Sequence, residues 1–406
     1  MSRTIYMDHM STTPCDPRVV EAMQPYFTQE FGNPSSHLYG LGNRALAAVD
    51  AARAEVARLV EAEPEQVVFT SGATEANNLA VIGLAREAMA QSGRKRVLIS
   101  NVEHYSVLNA ANALIRQGFY VEVLPVDHEG LIRPETLKKA LNGDTALVSV
   151  VHASGEIGTI EPVAELAALA HQAGALFHTD ATQTTGLIEV KLNAWGLDAV
   201  TLSAHNFYGP KGAGALILGK HLRPEPISFG GWQEGGLRSG TENVPAIVGM
   251  GAAAKLLREE REERARHMQN LGERLWQGLA QSVRFIRQTG HPTQRLPGHV
   301  SFWVEHVEGE SLVLFLAAKG VCASSGSACA SNFKAKDEHE LVASHVLAAV
   351  GVPTDICAGS VCLTLGTGNT DDDVDVVLRE FPAIVERLLS MSPSYADLLK
   401  NQGAKR

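Results

Sequence analysis

The chain has 406 residues, and 45% of them are hydrophobic, enough to fill a large core in about two or three domains. Its 45 acidic residues outnumber 35 basic ones, which gives a formal net charge of −10. Because this surplus of negative charge disfavours nucleic acid and anionic membranes, we expect small molecules and proteins as partners.

The first ten residues, MSRTIYMDHM, contain no apolar core of signal-peptide length. No apolar run in the sequence approaches the roughly 18 residues of a membrane span. We therefore predict a cytoplasmic protein. The cysteines are too few and too unevenly spaced for a disulfide framework. They are Cys15, Cys322, Cys329, Cys357 and Cys362.

Taken in chain order, the hydrophobic pattern first predicts a helix over 43–60 and a short strand at 67–69. Further apolar stretches predict strands at 96–100, 120–126, 146–151, 175–179, 199–203 and 214–218. Most of these stretches are separated by helical segments such as 162–174. Continuous apolar strands that alternate with helices are typical of a largely parallel sheet covered on both faces.

From about Asn243 the pattern changes to one long helical run, whose charged block we interpret as a solvent-facing side. A strand at 299–307, a helix at 310–320, a strand at 360–366 and a helix from Thr370 follow. This second part predicts a smaller α+β domain.

Polar clusters follow several predicted strands at their carboxyl ends, where open parallel sheets bind ligands. The segment TSGATEANN (70–78) opens a helix whose free N–H groups suit a phosphate. His104, Asp180 and the turn SAHNFYGPKG (203–212) also follow strands. Each feature alone is explained by helix capping or by a buried histidine, but their shared position predicts a ligand site.

Two other kinds of site, a dinucleotide-binding loop and a hydrolytic metal site, match parts of the sequence less well. The segment GLGNRA (40–45) fits a dinucleotide-binding pattern, but it does not follow a strand. A metal hydrolase would draw on scattered side chains that form no compact ligand motif on one helix. These side chains are His104, His152, His178, Asp180 and His205.

Motifs along nearly the whole chain resemble, in order, those of cysteine desulfurases of the NifS/IscS type. They are MDHMSTTPCDPRV, FGNPSSH, FTSGATEANNLA, VEH, DATQ, YGPKG, GGLRSGTENVP, VEGES and SSGSACAS. The resemblance implies the α/β fold type I of pyridoxal 5′-phosphate (PLP) enzymes, with a mainly parallel central sheet. It implies a large cofactor-binding domain over 16–258 and a small domain formed by 1–15 and 259–406. It also implies a homodimer with active sites at the subunit interface.

The same resemblance implies roles for individual residues. The residues that correspond to the family's cofactor-phosphate ligands are Thr74, Ser203, His205 and Thr241. Of these, Thr241 would reach across to the other subunit. His104 corresponds to the residue that stacks on the pyridine ring and handles protons, and Asp180 to the carboxylate paired with the ring nitrogen. Gln183 corresponds to the partner of the ring hydroxyl, and Cys329 to the nucleophile that takes the substrate sulfur.

Three positions depart from the family pattern. Asn206 stands where the family has the lysine that forms the Schiff base, and an amide is neither nucleophilic nor basic near neutral pH. Lys211 matches a different lysine of the family. Gly155 replaces an asparagine expected to contact the cofactor ring, and Cys362 replaces the arginine that grips the substrate carboxylate.

Two functional hypotheses follow. The resemblance implies a protein that mobilises sulfur from L-cysteine, giving alanine and a Cys329 persulfide, for iron–sulfur cluster or thio-cofactor assembly. Its partner would be an iron–sulfur scaffold protein or another sulfur acceptor. The departures leave open a catalytically degenerate homologue that acts as a scaffold or as a sulfur or cluster relay partner. The sequence does not decide whether the chain is an active enzyme.

Cofactor and metal binding also stay open. PLP is expected to bind noncovalently or as an external aldimine with a free amino acid, or to be absent. Cys329, Cys357 and Cys362 are candidates for a disulfide, a persulfide relay or a metal cluster. The alternative is that they are small cysteines buried in strands.

Overall fold

The computed structural model describes residues 3–326, 344–353 and 360–403. The strands are β1 (Ile5–Tyr6), β2 (Val67–Thr70), β3 (Arg96–Ser100), β4 (Tyr120–Leu124), β5 (Thr145–Ser149), β6 (Leu176–Asp180), β7 (Ala199–Ser203), β8 (Gly214–Leu218), β9 (Ile286–Gln288), β10 (His299–Val304), β11 (Val321–Cys322) and β12 (Ser360–Thr364).

The helices alternate with these strands in the first part of the chain, and further helices lie in the second part. They are α1 (Pro17–Met23), α2 (Pro25–Thr28), α3 (Gly40–Leu59), α4 (Ala73–Asn78), α5 (Leu84–Ser92), α6 (Tyr105–Ile115), α7 (Pro134–Ala140), α8 (Val163–Gln172), α9 (Val244–Ser282), α10 (Gly309–Ala318), α11 (His345–Ala349), α12 (Asp371–Met391) and α13 (Pro393–Gly403). A π-helical turn, Leu79–Gly83, joins α4 to α5.

The central sheet contains seven of these strands in the order β2-β8-β7-β6-β5-β3-β4. Neighbours are parallel except at β8, which runs antiparallel to both β2 and β7. Helices cover both faces, because the strands are apolar on both sides: Val67 and Phe69 face one core, while Val68 faces the other. The predicted α/β architecture with a mainly parallel sheet is confirmed.

The second part of the chain forms two smaller sheets, β12-β10-β9 with antiparallel pairing and β1-β11 with parallel pairing. Ile5 and Met7 pack into the same core as Phe302 and Phe381. The N-terminal strand therefore joins the later segments. Helix α9 buries its first half in the core of the central sheet and its second half in this smaller core. The domain boundary at 258/259 stays a prediction.

Among the described residues, we find no helix with the length and apolar character that crossing a membrane requires.

Candidate functional site

Asp180, the last residue of β6, lies at the carboxyl edge of the sheet and is 5% exposed. Its Oδ2 accepts a hydrogen bond from Asn77 Nδ2 at 2.7 Å, and its Oδ1 accepts one from the Thr182 backbone N–H at 2.9 Å. Asn77, on α4, is fully buried and also donates to Ser106 Oγ at 2.8 Å. These bonds fix the direction of the carboxylate and leave each oxygen a further lone pair.

His104 is the N-cap of α6 and is exposed towards solvent. Its Nδ1 accepts a hydrogen bond from the Ser106 backbone N–H at 3.1 Å and lies 2.7 Å from Ser106 Oγ. Since Nδ1 is an acceptor, the proton of the neutral ring lies on Nε2. Through Ser106 and Asn77, the imidazole is thus connected to Asp180 by a continuous chain of hydrogen bonds.

The other histidines of the region have structural partners. His178 Nδ1 lies 2.8 Å from Ser149 Oγ and its Nε2 lies 3.0 Å from Thr201 Oγ1, all inside the sheet. Burial lowers the pKa of His178, and it lowers the pKa of His152 to about 4. In the described parts of the chain, His, Cys, Asp and Glu side chains do not gather in threes as a metal site would need.

The predicted phosphate ligands lie at one level of the sheet. Thr70 and Ser203 both pair with Gly214, so the start of α4 and the end of β7 are separated by the single strand β8. Ser203 Oγ is buried and has no hydrogen-bond partner among the described residues. Thr74 is exposed in the first turn of α4, where a Cβ added to Gly72 would meet open space. This edge offers free donors to an anion.

Two further predicted ligands flank that edge. His205 is half-buried, and its Nδ1 lies 3.2 Å from Thr12 Oγ1. Burial lowers the pKa of His205, and the Lys211 charge adds to this effect. Thr241 is exposed in the loop that precedes α9.

Asn206 ends the short 3₁₀ turn after β7. Its Nδ2 donates to Met10 O at 3.3 Å, and Gln183 Nε2 donates to the same oxygen at 3.0 Å. Asn206 Oδ1 is buried without a hydrogen-bond partner among the described residues. Both amides border a cavity of about 40 Å³, together with Tyr208 and His299. The Asn206 side chain is therefore held in place by its Nδ2, while its Oδ1 accepts no hydrogen bond from the described residues.

Cys362 and Gly155, two of the three departures, meet at His299. Cys362 is 2% exposed on β12, and its Sγ lies 3.4 Å from His299 Nε2 and 3.8 Å from Gly155 O. His299 Nε2 lies 2.7 Å from Gly155 O. Burial raises the pKa of Cys362, so this sulfur is a neutral thiol near neutral pH.

Arg295 lies behind His299, but it does not take over from the missing arginine. Its guanidinium donates to Ser301 Oγ at 3.0 Å and to backbone oxygens such as His299 O and Ile157 O. Burial lowers the pKa of Arg295 to about 10. Because its donors are used internally, Arg295 is a support for this corner of the site.

The sequence identified Asp180, His104 and the turn after β7, and the structure brings them to one edge of the sheet. It did not identify Asn77, Ser106 and His299. Asn77 carried a signal, since it is a polar residue on the apolar side of a helix. Cys329 and Cys357 lie outside the described residues. The roles assigned to the site residues stay predictions.

Comparisons with known proteins define the class. The sequence pattern of the class-V aminotransferases matches residues 5–377, so the chain belongs to that family. A cysteine desulfurase IscS 1 of Archaeoglobus fulgidus is 46% identical over 391 residues, covering 96% of this chain and 99% of that protein. A cysteine desulfurase IscS of Methanosarcina thermophila is 44% identical and covers 97% of this chain and 94% of its own length. Within the class, the chain belongs to the cysteine desulfurases of the NifS/IscS type.

Solved structures agree with this assignment. A NifS-like protein superimposes with a TM-score of 0.86 at 33% identity, over 95% of this chain and 100% of that chain. SspA in complex with cysteine gives a TM-score of 0.78 at 29% identity, over 90% of this chain and 100% of that chain. The predicted family, the PLP-enzyme fold type I and the desulfurase-like character are confirmed.

Proposed function

We propose that this chain is a cysteine-desulfurase-like protein that binds PLP noncovalently and draws sulfur from L-cysteine onto Cys329. The observation that carries the proposal is the hydrogen-bonded chain Asp180–Asn77–Ser106–His104, which begins at the end of β6; the neighbouring strand β7 ends at Ser203, whose Oγ has no partner among the described residues. A fixed carboxylate and a buried hydroxyl without a partner fit the pyridine nitrogen and the phosphate of PLP.

The residues present fit the cofactor except at positions 155 and 206. Ser203, His205 and Thr74 would hold the phosphate, and Asp180 would hold the ring nitrogen. When bound, PLP supplies an electron sink for bond cleavage at the amino acid. Asn206 offers no amine, so the cofactor would be retained only by these noncovalent contacts and would exchange with solvent.

The chain's own residues would orient the substrate and move its protons. His104 presents Nε2 as the atom that holds or releases a proton, because its Nδ1 is occupied by the Ser106 backbone N–H. Asn77 keeps the Asp180 carboxylate turned towards the cleft. Neither contact needs a residue at position 206 with a positive charge.

A second function is favoured by a specific observation at Cys362. Its thiol packs against Met10 and His299 where the family arginine would bind a carboxylate. This corner offers an incoming L-cysteine no cation with unused donors among the residues described above. It supports a degenerate homologue that serves as a scaffold or relay partner, with an iron–sulfur scaffold protein as its acceptor.

The chain is expected to form a homodimer under either of the two functions. Large apolar side chains are exposed in the segments around FGNPSSH and GGLRSGT: Leu38 is 90%, Phe229 80% and Trp232 85% exposed. Such a patch favours burial against another chain. A second copy would bring Thr241 to the partner's phosphate site. A cytoplasmic location stays a prediction from the composition.

The test is the visible spectrum of the purified chain with added PLP, compared with free PLP, before and after L-cysteine, with alanine and sulfide assayed in the same sample; a second portion is desalted. We expect a PLP band that desalting removes and that borohydride does not fix to the protein. N206K should retain the cofactor after borohydride, as a mass increase. D180N should lose the band, whereas D397N, on the exposed helix α13, should not.

The outcomes separate the two functions. Alanine formed by the unmodified chain supports the desulfurase. A PLP band without alanine supports the degenerate homologue. If added PLP gives neither a band nor protection against thermal unfolding, the cofactor proposal is wrong.

A further inference from the structure

Three soft or borderline metal donors converge beside the active-site cavity. Cys362 Sγ lies 3.3 Å from Met10 Sδ and 3.4 Å from His299 Nε2. They come from the N-terminal segment, from the first residue of β10 and from the middle of β12. Met10 and His299 also border the 40 Å³ cavity. The mechanism proposed above uses none of these three groups.

The two distances from Cys362 Sγ are compatible with one ion bound by all three side chains. Metal bonds of about 2.3 Å to sulfur and about 2.0 Å to nitrogen place the ligand atoms of a trigonal site roughly 3.5–4 Å apart. The observed separation is shorter by about 0.7 Å between the two sulfurs and by about 0.3 Å between sulfur and nitrogen. Met10 is half-buried and has a flexible unbranched side chain, so it can move outwards by that amount.

The protonation states allow metal binding. His299 is 5% exposed and its Nδ1 lies 3.5 Å from Arg295 Nη2, so its surroundings favour a neutral ring. Cys362 is a buried thiol. A bound metal ion replaces the thiol proton, and His299 exchanges its Nε2 contact with Gly155 O for the metal while its proton moves to Nδ1, which gives up its 3.5 Å contact with Arg295 Nη2.

The surrounding charge selects the ion. When a monovalent cation replaces the thiol proton, the net charge of the pocket does not change. A divalent cation would add a positive charge to a dry site beside the Arg295 guanidinium, which has no carboxylate partner among the described residues. Zinc also prefers a fourth ligand, whereas a thiolate, a thioether and an imidazole select Cu(I).

We propose that Cys362, Met10 and His299 form a binding site for a soft monovalent metal ion, with Cu(I) as its preferred occupant. The site is closed on the side of the protein core, where Cys362 is 2% and His299 5% exposed, and its entrance is the cavity beside Met10. Binding releases one proton from the Cys362 thiol and changes no oxidation state. An ion held here would border the place where the substrate carboxylate is expected.

The experiment is an anaerobic competition of the full chain with a chromogenic Cu(I) chelator. It uses a C329S/C357S background, so that only Cys15, Cys322 and Cys362 carry thiols. We expect one Cu(I) per chain. M10L, which keeps the side-chain volume and removes the thioether, should weaken binding about tenfold or more, and C362S should weaken it still further. C322S is the matched control and should leave binding unchanged.

X-ray absorption of the copper-loaded chain should show two sulfur ligands and one nitrogen ligand, and the H299Q variant should lose the nitrogen. Circular dichroism and the melting temperature check that each variant folds. The proposal is overturned if the background chain binds no Cu(I), or if M10L and C362S bind it as tightly as the background. These measurements require no PLP, so they are independent of the proposed function.

Discussion

Glu103 predicts a pH dependence of stability that originates beside the site. It directly precedes His104 and is 1% exposed. Its Oε1 accepts hydrogen bonds from Ser100 Oγ at 2.7 Å and from the Val151 backbone N–H at 2.6 Å. Its Oε2 is buried without a partner among the described residues. Burial raises the pKa of Glu103 from 4.5 to about 8, so the folded chain holds this side chain protonated at pH 7.

The direction of this pH dependence follows from the difference between the pKa of Glu103 in the folded chain and in the unfolded chain. A carboxyl group with a higher pKa in the folded state stabilises that state fully below about pH 4.5, and this contribution is lost as the pH rises to about 8. The difference between the two pKa values corresponds to at most about 5 kcal/mol. Residual exposure of the group to water would reduce that figure, so we expect a few kcal/mol.

The perturbation is E103Q, which keeps an acceptor oxygen for Val151 and Ser100 and removes the titration. The assay is urea unfolding, followed by circular dichroism, at intervals from about pH 5 to pH 9. Above about pH 7, where the buried histidines of lowered pKa no longer titrate, the free energy of unfolding of the unmodified chain should fall, and E103Q should flatten the fall. Burial also raises the pKa of Glu161 to about 8, so E103Q/E161Q should flatten it further. The exposed control E310Q should change nothing, and an E103Q chain with the full slope would refute the reasoning.

Three further predictions concern stability and are measured by the same urea unfolding at pH 7. F302A should cost about 3–5 kcal/mol, because this fully buried ring packs edge-on against Phe381 at 5.4 Å. E234Q should cost about 3–5 kcal/mol, because it leaves the guanidinium of Arg53, now 2.7 Å from Glu234, without its buried partner. G155N should cost about 1–3 kcal/mol, because its Cβ would lie 3.3 Å from the Gln183 side chain, while the shorter G155A should cost less. In each case, a loss below 0.5 kcal/mol would contradict the packing argument.

The sequence predicted the strands of the central sheet well, because long apolar runs leave few alternatives. It extended two of them, β4 and β5, too far. The predicted strand 146–151 ends at Ser149 as β5, although Val150 and Val151 are buried as well. There the Val150 N–H still donates to His178 O of β6, but the Val151 N–H donates to the Glu103 side chain. Apolar character records burial, but it does not record where pairing stops. For the same reason it could not reveal that β8 runs antiparallel.

The site was predicted unevenly for a related reason. Asp180 and His104 stand next to strands, so their position in the sequence marked them. Asn77 and Ser106 lie on helices, and their importance depends on a contact between α4 and α6 that no local pattern encodes. His299 begins a strand and was interpreted only as part of it. A contact between distant segments becomes visible only once the chain is folded.

The departures at positions 155 and 362 are physically coupled, and this changes what a reversion means. Restoring arginine at Cys362 would place a second cation near Arg295 and drive its side chain into the space held by Met10 and His299. The hydrogen bond from His299 to Gly155 O would have to give way as well. Asn206 meets this contact set only through its hydrogen bond to the backbone oxygen of Met10, among the described residues, and its side chain bonds to none of Gly155, His299 and Cys362 there. We therefore expect N206K alone to restore covalent anchoring of the cofactor, whereas carboxylate binding should require several positions of one packed cluster to change together.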